Sequence, residues 1–303
     1  MVCGVFVFYV MIVYSSEMIT HVITHRGLDP SCTPYFAESS LEAFTDQLSR
    51  GYGIEFDLRF TSDNAIVIVH DANLKRITGG RDEREICSIT KDELLSMDFS
   101  GSHLTTFDHL LFLISTLQKE NVVSAIHLKS ASQNEAGLNC ILEYLKNVDC
   151  SKFYIFDTTI ATARYLKARN PNLRIAPSVA HQYDVKRYGE ATGGTLLSLD
   201  EVLANRDIFD GVWLDEWDLA DENGGEKKLY TKEIFEKIRN AKLWIGLVTP
   251  ELHGTSPGLL GGEAHPDAQP FSVLSNRLKD IVALQPDAIC TDYPDFVTAL
   301  IKH

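Results

Sequence analysis

The sequence predicts a single (β/α)8 barrel, and three features carry that expectation. From His21 to the C-terminus, short apolar runs alternate with amphipathic stretches of helical length, the signature of repeated parallel βα units. Several runs are continuously apolar, as expected where both faces of a parallel strand are covered. Setting one run aside, eight remain in a chain of 303 residues, enough to close a barrel. A doubly wound open sheet is the alternative, but no G-x-G-x-x-G follows the first run, so nothing favours a dinucleotide fold.

The expected strands are His21–Thr24, Gly53–Arg59, Val122–Leu128, Phe153–Phe156, Arg174–Pro177, Gly211–Leu214, Leu243–Val248 and Ala288–Cys290, with Ala65–His70 the run set aside. The first helix is expected over Ser39–Arg50, with Ser39 and Glu42 at capping-box spacing and Leu41, Phe44 and Leu48 on one stripe. Phe107–Lys119, Gln133–Asn147, Thr159–Arg169, Leu199–Asn205, Thr231–Asn240 and Asn276–Leu284 follow the same pattern, and Asn170-Pro171 is a stop signal. No mid-chain linker or internal repeat is visible, so residues 21–303 are taken as one domain. Gly254–Gly262 reads as a long loop over the barrel mouth.

Composition excludes some partners. Apolar residues make up 45% and charged residues 23% of the chain, an ordinary globular balance. A net charge of -14 argues against nucleic acid and against a generally basic face for anionic membranes. An anionic substrate would therefore need positive charge gathered locally. Cys3, Cys32, Cys87, Cys140, Cys150 and Cys290 are scattered without a C-x-x-C pair and read as core or loop thiols. Residues 1–20 hold an apolar run, Val5 to Tyr14, with no Lys or Arg before it. The run is short for a membrane span and lacks a convincing signal pattern. A weak signal or anchor, an added apolar segment packed on the domain, or a start codon placed too early are its readings, and any membrane contact is expected only through residues 1–20. The expected location is cytoplasmic unless that segment acts as a signal or anchor.

Barrel active sites lie at the C-terminal ends of the strands, and several expected strands end in reactive side chains. The first ends in His25-Arg26-Gly27. The second carries Glu55 and Asp57 at i, i+2, which places both on one face and Ile54, Phe56 and Leu58 on the other. Ala65–His70 ends in His70-Asp71, and the next strand ends in His127-Leu128-Lys129. Paired carboxylates suit a hard divalent cation, which can polarise a phosphoryl oxygen. Arg26 can grip phosphate oxygens and Lys129 adds a point charge. Two histidines can serve as general base and general acid near neutral pH. Taken singly, each of these residues has a plain structural reading. Their convergence on one mouth favours a site.

In order and spacing, His25-Arg26-Gly27, Glu38 ahead of Ala43-Phe44, Gly53 to Asp57, Phe60 to Asp63, His70-Asp71 and Leu74 to Thr78 resemble the glycerophosphodiester phosphodiesterase family. Thr291-Asp292-Tyr293-Pro294 resembles its last turn, and residues 71–103 match its small insertion after the second strand. The resemblance implies a barrel that hydrolyses a phosphodiester to an alcohol and glycerol phosphate. It implies His25 and His70 as the acid–base pair, Glu55 and Asp57 as metal ligands, Arg26 and Lys129 on phosphate, and Glu38 behind Arg26. Mg2+ or Ca2+ is the expected ion. The chain departs from the family in carrying His127 where a third carboxylate ligand is usual, which brings Mn2+ or Zn2+ into play, with Asp157 or Asp215 as compensating groups. A lysophospholipid- or sphingomyelin-directed enzyme of the same barrel is one alternative, and a barrel that binds phosphodiesters without turnover is another. In each case the partner is a small-molecule phosphodiester.

Overall fold

A computed structural model describes residues 20–99, 101–217, 223–255 and 265–302. The apolar segment 1–20, apart from Thr20, and most of Gly254–Gly262 lie outside those residues. The chain begins with β1 (His21–His25), α1 (Leu41–Arg50), β2 (Gly53–Phe60), β3 (Ile66–Ile68) and α2 (Lys91–Ser96). It continues through β4 (Thr105–Thr106), α3 (Phe107–Leu117), β5 (Ser124–His127), α4 (Glu135–Leu145), β6 (Phe153–Phe156), α5 (Ile160–Arg169), β7 (Ser178–Val179), α6 (Gln182–Tyr188) and α7 (Leu199–Ala204). Last come β8 (Gly211–Leu214), α8 (Lys232–Asn240), β9 (Trp244–Val248), α9 (Phe271–Ala283), β10 (Ala288–Thr291) and α10 (Pro294–Ile301).

The parallel strands run round the wall in the order β6-β5-β2-β1-β10-β9-β8-β7. Between β7 and β6 the ring is drawn together by the segment just before β7. Ile155 N donates to Arg174 O at 2.9 Å and Ala176 N to Ile155 O at 3.0 Å. This nearly closed barrel with surrounding helices is the (β/α)8 architecture. Arg174–Pro177 lines the wall as expected, yet regular pairing starts only at Ser178. Pro177 has no N–H to give a ladder, and Ile175 N donates to the Asp210 carboxylate at 2.8 Å.

The run set aside becomes β3, antiparallel to β2, and β4 pairs with β3 in turn. Within residues 71–103, Leu74, Ile86, Ile89, Leu94 and Phe99 form a small apolar cluster on Val67 and Val69 of that hairpin. The main core has two layers. Ile54, Phe56 and Leu58 of β2 join Ile126, Val212, Ile245 and Ile289 against the helices. Inside the barrel, Ile23, Ala125, Tyr154, Phe156, Trp213 and Cys290 cluster, with Tyr154 stacked on Trp244 at 4.0 Å and Phe156 on Trp213 at 4.7 Å. Stacked rings fill the interior floor, so polar side chains at the strand ends rest on a dry base.

One local expectation is corrected. The cap of α1 is Ser40, whose side chain accepts from Ala43 N, not Ser39. Ser39 is left-handed at φ 58, while Glu42 turns outward to accept from His103 N at 3.0 Å. With Ser40 as the cap, the third helical position is Ala43, which has no side-chain acceptor to complete a capping box. Among the described residues, no helix is long and apolar enough to cross a membrane.

Candidate active site

Because successive side chains of β2 alternate, Glu55 and Asp57 point together toward the barrel axis, 3% and 0% exposed. Strand β5 sets His127 beside Asp57 in register. His127 Nδ1 lies 2.8 Å from Asp57 Oδ1 and 3.7 Å from Glu55 Oε1. Lys129 Nζ stands 2.6 Å from the same Asp57 oxygen and 3.1 Å from His127 Nδ1. Lys129 is thus held on the carboxylate pair at the mouth.

The electrostatics of this group call for a cation. Burial raises the Glu55 pKa, and the negative charge of Asp57 raises it further. Burial opposes ionisation of Asp57 too, but Lys129, His70 and His127 together hold its carboxyl well below the usual range. Despite those neighbours, neither Asp57 oxygen receives a hydrogen bond of good geometry, an uncommon condition for a buried carboxylate. Ligand-capable atoms of Glu55, Asp57 and His127 lie within 4.8 Å of one another. Two carboxylates and an imidazole fit a divalent cation.

The turn after β1 frames the other side. Arg26 is left-handed at φ 55, and its N–H donates to Glu55 O at 3.1 Å and toward Glu55 Oε2 at 3.3 Å. Its Nη1 donates to Glu38 Oε1 at 3.3 Å, and its Nε is 3.7 Å from Asp57 Oδ2. Gly27 follows at φ +72, where an added Cβ would come within 3.1 Å of the Ala43 Cβ. The position therefore suits glycine on two counts, backbone sign and space.

Each strand-end histidine has one nitrogen fixed by a carboxylate. His25 Nδ1 meets Asp292 Oδ1 at 3.1 Å, and His70 Nδ1 meets Asp71 Oδ1 at 2.6 Å. Burial pulls the His25 pKa well below the ordinary value, with Arg26 adding to the effect. Burial and then Lys129 lower that of His70 to about 3. Both rings are accordingly neutral near pH 7, and an Nδ1–H donated to carboxylate leaves Nε2 as the basic nitrogen.

Sequence reasoning missed Arg76, although the residue falls in a family-like run. Its Nε donates to Asp71 Oδ2 at 2.6 Å and its Nη1 to Glu38 Oε2 at 3.0 Å. One guanidinium thus links the carboxylate behind His70 to the carboxylate behind Arg26. The nearness of Arg76 to Asp71, five residues apart in sequence, was the only hint. Asp292, in the turn that resembles the family's last one, reaches His25. Glu251 was also unanticipated: its Oε1 accepts from Thr249 Oγ1 at 2.6 Å, Thr291 Oγ1 at 2.7 Å and Asp292 N at 3.2 Å. Asp157 lies on the far nitrogen of His127, with its Oδ2 2.8 Å from Nε2. Among the described residues, Asp215 does not join the Glu55, Asp57 and His127 group. Trp213 is 1% exposed in the barrel interior.

Comparison with known proteins points the same way. Residues 25–231 match the glycerophosphoryl diester phosphodiesterase family. A glycerophosphodiester phosphodiesterase of Caldanaerobacter subterraneus is 32% identical over 106 residues, 32% of this chain and 41% of that protein. A solved structure of a putative glycerophosphodiester phosphodiesterase from Galdieria sulphuraria superposes with a TM-score of 0.67 at 18% identity, covering 95% of this chain and 100% of that one. An Oleispira antarctica phosphodiesterase, solved with the product sn-glycerol-3-phosphate, gives 0.59 at 16% identity, covering 93% and 97%. At such identities the two structures bear on fold alone.

Proposed function

Because the chain belongs to the glycerophosphoryl diester phosphodiesterase family and is a phosphoric diester hydrolase, we propose that it cleaves glycerophosphodiesters with a divalent cation held by Glu55, Asp57 and His127. The products are an alcohol and glycerol phosphate. The observation that carries the reading is the convergence of the buried Asp57 and Glu55 carboxylates with His127. When bound, the ion supplies charge neutralisation at a phosphoryl oxygen.

The chain's own residues do the rest. Arg26, steadied by Glu38, offers guanidinium N–H donors to phosphate oxygens. Lys129, beside Asp57, would add a point charge for the phosphate. His25 and His70 are the acid–base pair. One neutral imidazole accepts the proton of the attacking water through Nε2, and the other acts as the acid in the fraction of molecules where it enters the step protonated at Nε2 as well, giving that proton to the departing alkoxide. Asp292 and Asp71 keep both rings oriented and stabilise whichever becomes imidazolium. Glycerol phosphate is the product bound to the Oleispira antarctica phosphodiesterase, which supports this substrate class.

The test follows product formation by 31P NMR, using glycerophosphocholine beside lysophosphatidylcholine and sphingomyelin. Glycerol phosphate released chiefly from glycerophosphocholine is the expected result. Preference for an acyl-bearing diester would move the substrate to lysophospholipids or sphingomyelin. Tight binding of diesters without turnover of any would contradict the proposal.

A further inference from the structure

His127 stands where the family resemblance expects a carboxylate, and the fold supplies that imidazole with a carboxylate of its own. His127 pairs with Phe156 across β5 and β6, so the next residue, Asp157, arrives beside the ring. Its Oδ2 lies 2.8 Å from His127 Nε2. The placement is built rather than casual. Asp157 is held left-handed at φ 58. Gln133 Nε2 donates to Asp157 O at 2.6 Å and to Leu128 O at 2.9 Å, while Gln133 Oε1 accepts from Thr159 N at 3.2 Å. The Phe156 ring covers the imidazole at 4.6 Å between centroids.

A carboxylate that accepts Nε2–H fixes the tautomer and leaves the Nδ1 lone pair for an ion. That lone pair faces Asp57 Oδ1 at 2.8 Å and Glu55 Oε1 at 3.7 Å, so three acceptors converge. Lys129 Nζ, 2.6 Å from Asp57 Oδ1 and 3.1 Å from Nδ1, already sets one cation against two of them. We propose that Asp157 and His127 form one composite arm of the ion site. Asp157 is a positioning residue that presents Nδ1 and contributes the negative charge a neutral imidazole lacks. A set of two carboxylates and a carboxylate-backed imidazole favours Mn2+ or Zn2+ over Ca2+. The assignment rests on the ion-dependent reading above.

Calorimetric titration of chelator-stripped full-length protein with Mn2+, Zn2+ and Ca2+ separately tests it. Asp157→Asn would offer an amide N–H to Nε2 and so turn the Nδ1 proton toward the ion. The variant is expected to lose about 10–100-fold in Mn2+ and Zn2+ affinity, with Ca2+ affinity changed far less. His127→Glu is expected to reverse the preference toward Ca2+, and in that background Asp157→Asn should have no further effect on Mn2+. Wild-type affinities in Asp157→Asn, an equal loss for all three ions, or no gain of Ca2+ in His127→Glu would each overturn the assignment. Glycerophosphocholine turnover is followed on the same preparations. Ion-dependent turnover with unaltered ion affinities in Asp157→Asn removes the role of Asp157 alone. Absence of both ion binding and turnover in the wild type removes the ion-dependent reading together with it.

Discussion

Asp57 and Glu216 are both buried carboxylates on barrel strands or just after them, each near an arginine, and they are used in opposite ways. Both oxygens of Glu216 are well supplied with donors. Its Oε2 accepts from Leu229 N at 2.6 Å and Tyr230 N at 3.0 Å, and its Oε1 pairs with Arg277. Lys227 and Asp184, almost wholly buried, likewise pair with each other. These contacts tie the segment after β8 to α9 and α6. Asp57 has cations close by, yet no hydrogen bond of good geometry reaches either oxygen. Burial of charge is common to both regions. What separates scaffold from site is that Glu216 is saturated by fixed donors, whereas Asp57 shares one oxygen between Lys129 and His127 and converges with Glu55 on a common point.

The largest effect expected from this contrast is at His70. His70→Ala should reduce glycerophosphocholine turnover by about 10²–10⁴-fold with little change in thermal unfolding. Glu216→Ala should do the reverse. Removing the Glu216 carboxylate strips Leu229 N and Tyr230 N of their acceptor and half-buried Arg277 of its nearer carboxylate, a loss of about 1–3 kcal/mol, while turnover per folded molecule stays near wild type. A large fall in kcat for folded Glu216→Ala would break the comparison.

Arg76 sharpens it. Arg76→Met removes charge-assisted hydrogen bonds to Asp71 and Glu38 worth about 1.5–3 kcal/mol. If that energy serves positioning, kcat falls roughly 10–100-fold and Arg76→Lys recovers only part of it. An unchanged kcat would assign Arg76 to the scaffold.

Glu251 is intermediate, with three donors on one oxygen and none on the other. Burial, reinforced by Asp292, raises its pKa from 4.5 to about 7. A raised folded-state value means that this contribution to stability is present below pH 4.5 and is lost as pH rises through about 7. Glu251→Gln, always neutral, should therefore stabilise the protein at pH 8 by on the order of 1 kcal/mol and leave it little changed at pH 5. Urea unfolding at the two pH values measures the difference.

What the sequence made legible was local. The i, i+2 spacing of Glu55 and Asp57 fixes their shared face whatever the rest of the fold does, and His70 adjoins its partner Asp71. The strands and most helices could be read from apolar runs and stop signals such as Asn170-Pro171. Contacts made by barrel closure could not. His25 meets Asp292 across 267 positions of sequence only because β1 pairs with β10. Arg76 reaches Glu38 because residues 71–103 fold back over the mouth. Asp157 could be placed at a strand end from sequence. Which nitrogen of His127 it serves depends on the β5–β6 register and a left-handed backbone that apolar patterning does not encode. The Ser39 cap failed for a similar reason, since a left-handed turn at Ser39 moves the cap to Ser40.

The most direct measurement is release of glycerol phosphate from glycerophosphocholine by chelator-stripped protein as one divalent ion is titrated in, comparing wild type with Asp57→Asn. Turnover that returns with the ion in wild type and stays absent in the folded variant is the predicted result. Turnover that survives chelation, or that Asp57→Asn retains, would contradict the assignment of the Asp57 cluster as the catalytic ion site.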